Sequence, residues 1–182
     1  MEPTEAVKEY LEIVPESYDL LRDCIGLSIR QIAWHDIPGT DLYGRLLETL
    51  ELQFDETSIF LRTPRHERAG DGDPVDTVEF AFRELPFREN ASRFNAVSQD
   101  SETAWQSCIG SEIRAIELLA DLKDSRFARY YGIRFQLHNE HSIGYHYQWG
   151  EEIGDWVNRH PKIVIDGFDP PPELGWRFVH WI

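Results

Sequence analysis

Two cysteines and one methionine are all the sulfur in this 182-residue chain, and eighteen lysines and arginines stand against thirty-three acids. Two cysteines outside any C-x-x-C spacing fit neither a disulfide-rich scaffold nor a cysteine zinc site. A net charge of -15 leaves no clustered Lys and Arg to meet phosphates, which argues against a nucleic-acid partner. No run approaches eighteen consecutive apolar residues, and the start "MEPTEAVKEY" has neither the basic region nor the apolar stretch of a secretory signal. We therefore expect a cytoplasmic protein without membrane contact. Also missing are G-x-S-x-G, a Gly-rich phosphate loop, a dinucleotide fingerprint and H-E-x-x-H. What remains is 41% hydrophobic and 13% aromatic, enough to fill a core at this length.

One motif occurs twice. "CIGLSIRQI" at Cys24 to Ile32 returns eighty-four positions later as "CIGSEIRAI" at Cys108 to Ile116, with Cys, Ile, Gly, Ile, Arg and Ile at the same places. Downstream, Leu50, Leu52 and Phe54 alternate with Glu51 and Gln53, and Ile133, Phe135 and Leu137 alternate with Arg134 and Gln136. That two-residue period predicts half-buried strands. A polar break follows each, "DET" and "HNEH", and then a second β-rich run from Ser58-Ile59 or Ser142-Ile143. This is a hairpin written twice, one residue longer in the second loop. Val78 and Phe80 fall on Lys162 and Val164, which extends the match to a fourth strand.

Short helices are expected in "PESYDLLRDCI" and "SETAWQSCI", each closed by a glycine in the left-handed conformation, Gly26 or Gly110. The cysteine and isoleucine of "CIG" should face the core, with strands at about Ser28 to Trp34 and Glu112 to Leu118. A helix is also expected in "TEAVKEYLEIV", where Ala6, Val7, Tyr10, Leu11 and Val14 share a face opposite Glu5, Glu9 and Glu12. The expected fold class is α+β: a tandem duplication of a helix-then-antiparallel-sheet unit, its pseudo-symmetric halves packed together in one sheet or two. Residues 1–95 would hold the N-terminal helix and first unit, and residues 96–182 the second. The Gly- and Pro-rich "RTPRHERAGDGDPVD" should be an exposed loop.

Three features can carry chemistry. His138, His141 and His146 with Glu140 are metal-ligating residue types within nine positions, but hairpin geometry lets the three imidazoles converge only in some registers. Asp71, Asp73 and Asp76 have the acid density of a calcium loop without its frame or closing glutamate. Cys24 and Cys108, matched in the two copies, read as small core hydrophobes rather than nucleophiles, and Arg30 and Arg114 as surface residues paired to nearby acids. We expect no catalytic residue, no metal and no cofactor. Trp149, Trp156, Trp176 and Trp181 crowd the last thirty-four residues beside carboxylates, a mixture that suits a protein interface. The expected partner-binding set is His138, Glu140, His141, Tyr145, Tyr147, Trp149, Glu151, Glu152 and Asp155. The acidic N-terminal helix is the second choice.

In this general character, small, acidic and without a catalytic motif, the chain resembles bacterial immunity proteins of polymorphic toxin and type VI secretion systems. The resemblance implies a monomer that binds one basic toxin domain and occludes its active site. Two other functions fit the same residues: a regulatory module holding a small ligand in the cleft between the halves, and a metal-dependent enzyme using the histidine hairpin.

Overall fold

A computed structural model describes residues 10–37, 47–62, 65–66, 75–76, 78–84, 105–121, 130–147, 161–167 and 176–180. They form two antiparallel five-stranded sheets. The first contains β1 (Leu11–Glu12), β2 (Gln31–Ile37), β3 (Leu47–Gln53), β4 (Thr57–Arg62) and β7 (Glu79–Glu84), in the order β1-β7-β4-β3-β2. The second contains β8 (Ile113–Asp121), β9 (Tyr130–Leu137), β10 (Ser142–Tyr147), β11 (Pro161–Ile165) and β12 (Trp176–His180), in the order β11-β10-β9-β8-β12. A two-residue ribbon of β5 (Arg65–His66) and β6 (Val75–Asp76) lies within the segment expected to be a plain loop.

The expected α+β class of helix-then-sheet units is overturned: the fold is mostly β. Helix is limited, among the described residues, to a 3-10 turn at Pro15–Ser17, α1 (Tyr18–Arg22) and a turn at residues 105–108. A segment this short cannot hold itself helical, because nucleation fixes several residues before the first bond repays it. It persists by packing, with Tyr18, Leu21 and Cys24 buried. The expected N-terminal helix is also absent where it can be seen. Val14 precedes Pro15 and is extended at φ -134 and ψ 164, as the proline ring demands of its neighbour. Leu11 and Glu12 instead form β1, paired with Phe80 and Glu79. Residues 1–9, and the expected boundary near residue 95, lie outside the described residues.

Both sheets contain the same meander. β2-β3-β4-β7 and β8-β9-β10-β11 run in the same order, and the rows Ile32-Leu52-Ile59-Phe82 and Ile116-Phe135-Ile143-Ile165 run straight across them. The second hairpin loop is one residue longer: Gln53 pairs with Ser58, and Gln136 with Ser142. One apolar cluster draws on both sheets, including Leu50, Leu52, Ile59 and Phe80 from the first and Ile116, Ile133, Phe135 and Ile143 from the second. Each such side chain contributes about 1.5–3 kcal/mol by leaving water.

The repeated motif joins the halves. The Gly26 N–H donates to Ile113 O at 2.8 Å and the Gly110 N–H to Ile29 O at 2.7 Å. The Ile29 N–H donates to Ser111 O and the Ile113 N–H to Leu27 O, both at 3.0 Å. Ser28 and Glu112 form the antiparallel bridge at the centre. Exchanging each residue for the one eighty-four positions away turns every bond into its mate. Regular ladders begin after this bridge, so the strands start at Gln31 and Ile113 rather than at Ser28 and Glu112. Buried contacts add a second tie: the Tyr18 and Tyr130 hydroxyls are 2.5 Å apart, and the Val78 N–H donates to Tyr130 O at 3.0 Å.

Gly26 and Gly110 have φ of 84° and 81°, with open space where a Cβ would stand. Gly26→Ala and Gly110→Ala should therefore each lower stability by about 1 kcal/mol through backbone strain alone. At Gly132 a Cβ would lie 2.7 Å from His146 Cβ and 3.1 Å from Tyr145 O, so Gly132→Ala should cost about 1–3 kcal/mol through overpacking. Urea midpoints at constant m-value check both; a neutral Gly132→Ala would refute the close approach.

Candidate functional site

The turn between β9 and β10 holds His138, Glu140 and His141 at the surface, beside the junction of the halves. Its backbone is tied down on both sides. The His138 N–H donates to Glu112 O at 3.0 Å, and Asn139 Nδ2 donates to Ser107 O at 2.7 Å. The Leu137 N–H donates to His141 O at 2.8 Å, and Glu140 takes a left-handed φ of 70° to close the turn. These bonds offset the roughly 1–2 kcal/mol that such a φ costs a residue with a Cβ.

Asp166, at the end of β11, fixes His141. His141 Nδ1 donates to Asp166 Oδ2 at 2.7 Å, and the Ser142 N–H donates to Asp166 Oδ1 at 2.8 Å. In return the Asp166 N–H donates to Ser142 O at 3.1 Å. A carboxylate on one ring nitrogen is how proteins orient a metal-binding or proton-transferring histidine. Here it clasps β10 to β11. Among the described residues no group of three His, Cys, Asp or Glu side chains is placed to hold a metal ion. His146 is buried on β10 beside Gly132, away from the surface turn of His138.

The rest of the expected set divides. Tyr145 is fully buried in the shared core and presents nothing to a partner; its position on β10 alternates with Gly144 and His146 to face inward. Tyr147 ends β10 opposite Pro161, and its side chain lies outside the described residues. Trp149, Glu151, Glu152, Asp155, Trp156 and Trp181 lie outside them too, as do Asp71 and Asp73. Of the "CIG" corners, Cys24 and Cys108 are fully buried as expected, whereas Ile109 is 41% exposed. Arg30 makes a two-pronged pair with Asp55, at 2.6 and 3.0 Å, and its hydrogen bonds hold that carboxyl below the usual range. Arg114 is exposed and has no such pair among the described residues.

The tertiary structure adds features that periodicity concealed. Asn139, Ser107, Ser111 and Asp166 buttress the turn; the turn signal "DG" at Asp166-Gly167 was the one visible trace. On the first sheet, Thr49, Glu51, Ser58 and Glu79 are buried on the face opposite the core. Arg62 Nε and Nη2 donate to Glu79 Oε2 at 3.0 and 2.9 Å, and the guanidinium lies 3.6 Å over the Tyr10 ring. Burial, with Glu79 and Glu51 nearby, pushes the Tyr10 phenol up, against the pull of Arg62 and Thr49. The second sheet has its own pair, Glu117 accepting from Arg134 at 2.5 Å and from Gln136 at 2.7 Å, with Arg134 3.8 Å over Phe178. Charges this far from water need such partners.

No family model, curated protein or solved structure matches this chain.

Burial pushes the Cys24 thiol up to about 12 and the Cys108 thiol up to about 11, from an ordinary 9.0. At neutral pH each carries about a hundred- to a thousandfold less thiolate than a free cysteine. Both should therefore resist a chromogenic disulfide reagent in the native state and react promptly in denaturant. Unfolded thiols ionise first on raising pH, so stability should be fully present below about 9 and fall as pH climbs through the native values. Rapid native labelling would contradict the burial of these corners.

Proposed function

We propose that this chain is a non-catalytic binding protein that occludes a basic protein partner, as an immunity protein does with its toxin. One observation supports the reading: exposed acids collect where the two halves join. Asp23, Asp55, Glu56, Glu112, Glu140 and Asp166 are exposed on segments linked through that junction, with Ile109 exposed among them. Asp55 is paired with Arg30 and Asp166 is hydrogen-bonded to His141, whereas Asp23, Glu56, Glu112 and Glu140 have no ion pair among the described residues. Unpaired rim carboxylates steer a cationic partner through water, and an apolar side chain between them supplies a site to desolvate. The excess of thirty-three acids over eighteen bases extends that attraction over the whole surface.

On this reading the histidine turn is part of the contact surface. The bonds from His138, Asn139 and His141 to both sides hold it in shape before a partner arrives, which reduces the ordering cost of binding. The matched order of the two meanders and their exchangeable bridge also favour an origin by internal duplication of a four-strand unit, now diverged in its loops.

Native mass spectrometry of the untagged protein from its own cells at low salt should find a stoichiometric basic polypeptide that leaves as salt rises. Reversing Glu112 and Glu140 to lysine should slow association with that polypeptide by about tenfold at low salt and change dissociation little. An unchanged association rate would refute the acidic surface as the contact.

A further inference from the structure

The junction of the halves has the form of an interface between two subunits. Its four backbone bonds exchange in pairs under the eighty-four-residue shift, Gly26 with Gly110 and Ile29 with Ile113 as donors. The bonds flank Ser28 and Glu112, which makes these two a non-hydrogen-bonded antiparallel pair, with Cα atoms about 4.5 Å apart. A contact in which each side offers the same surface to the other is the isologous arrangement of a twofold dimer. Here one chain supplies both sides. The described ends of the halves, Glu84 and Trp105, are separated by the twenty residues 85–104. A chain of that length can reach about 65 Å, roughly twice the width of one half.

We propose that two copies of this chain assemble by exchanging halves, the first half of each forming the junction with the second half of the other. Such a dimer remakes every described bond across the junction, so chain entropy decides between it and the closed monomer. A linker of this length holds its own halves at about millimolar effective concentration, and exchange competes with closure as the protein approaches that range. The pairing also selects unlike halves. The Tyr18 and Tyr130 hydroxyls meet at 2.5 Å across the halves. The positions matched to them are Glu102 and Leu47, so two first halves together cannot remake this bond. An exchanged dimer carries two junctions and with them two copies of the acid-rimmed surface, but its formation does not rest on the binder reading.

The test uses two full-length variants, Ser28→Cys and Glu112→Cys, unfolded in urea, mixed, refolded under reducing conditions and then oxidised. Exchange sets the two new thiols opposite one another across the bridge, at a separation that suits a disulfide. In closed monomers each new thiol faces the native residue of its own chain, and Cys24 and Cys108 are buried. The ratio of joined to unjoined chains should rise about tenfold for each tenfold increase in refolding concentration below about 1 mM. It should also exceed by about tenfold the ratio for either variant refolded alone, because like halves leave the thiol opposite Glu112 or Ser28 of the second copy. The double variant Ser28→Cys/Glu112→Cys should close an internal disulfide when refolded dilute, which reports that both substitutions fold. Once closed, it should refold only as a monomer at any concentration. Joining that does not depend on concentration, or that is equal in a single variant alone, overturns the proposal. A folded double variant that forms no internal disulfide refutes the bridge geometry and the exchange with it.

Discussion

The fold depends on four backbone hydrogen bonds between residues 26–29 and 110–113. Each sheet alone has one apolar face that must be covered, and a four-strand meander of this size buries a marginal core by itself. The paired bridge around Ser28 and Glu112 brings the two faces into one cluster, and it forms from the segment that the sequence repeats. The features shared by the two copies of the motif then have separate reasons. The cysteines fill the core, the glycines reach a φ near 80° that frees their amides to cross to the other half, and the isoleucines sit on either side.

Around this junction the turns of the two halves differ, and exposed acids collect. The longer second hairpin is braced by Asn139 and by the His141–Asp166 clasp, while the shorter first one ends in the Arg30–Asp55 pair. The described part of this surface draws on both halves, as the core does. If that surface binds a partner as proposed, charges held in place by the bridge would need little reorganisation to act on it.

The two sheets also treat their second faces alike. Arg62 with Glu79 and Arg134 with Glu117 are ion pairs between adjacent strands, and each arginine lies over an aromatic ring, Tyr10 or Phe178. Tyr10 directly precedes β1 and Phe178 lies on β12, the strands added outside the meanders. Those two strands make the described sheets unlike one another, since they lie at opposite edges of the matched meanders.

Local signals specify the strands with clean alternation, Leu50 to Phe54 and Ile133 to Leu137, the hairpins after them and the left-handed glycines, because period and turn chemistry act over a few residues. The sequence also marked the buried cysteines, whose matched positions pointed inward. It misled wherever a local pattern had to yield to distant contacts. Leu11 and Val14 have helical spacing, but Pro15 and the open edge of β7 draw the chain into a strand. Tyr145 looks like an interface residue among its aromatic neighbours, yet the pleat of β10 turns it into the core. That the repeated motif pairs with itself, that Asp166 meets His141 and that β12 pairs with β8 emerges from the folded chain alone, since each joins residues whose separation along the chain carries no periodic signal.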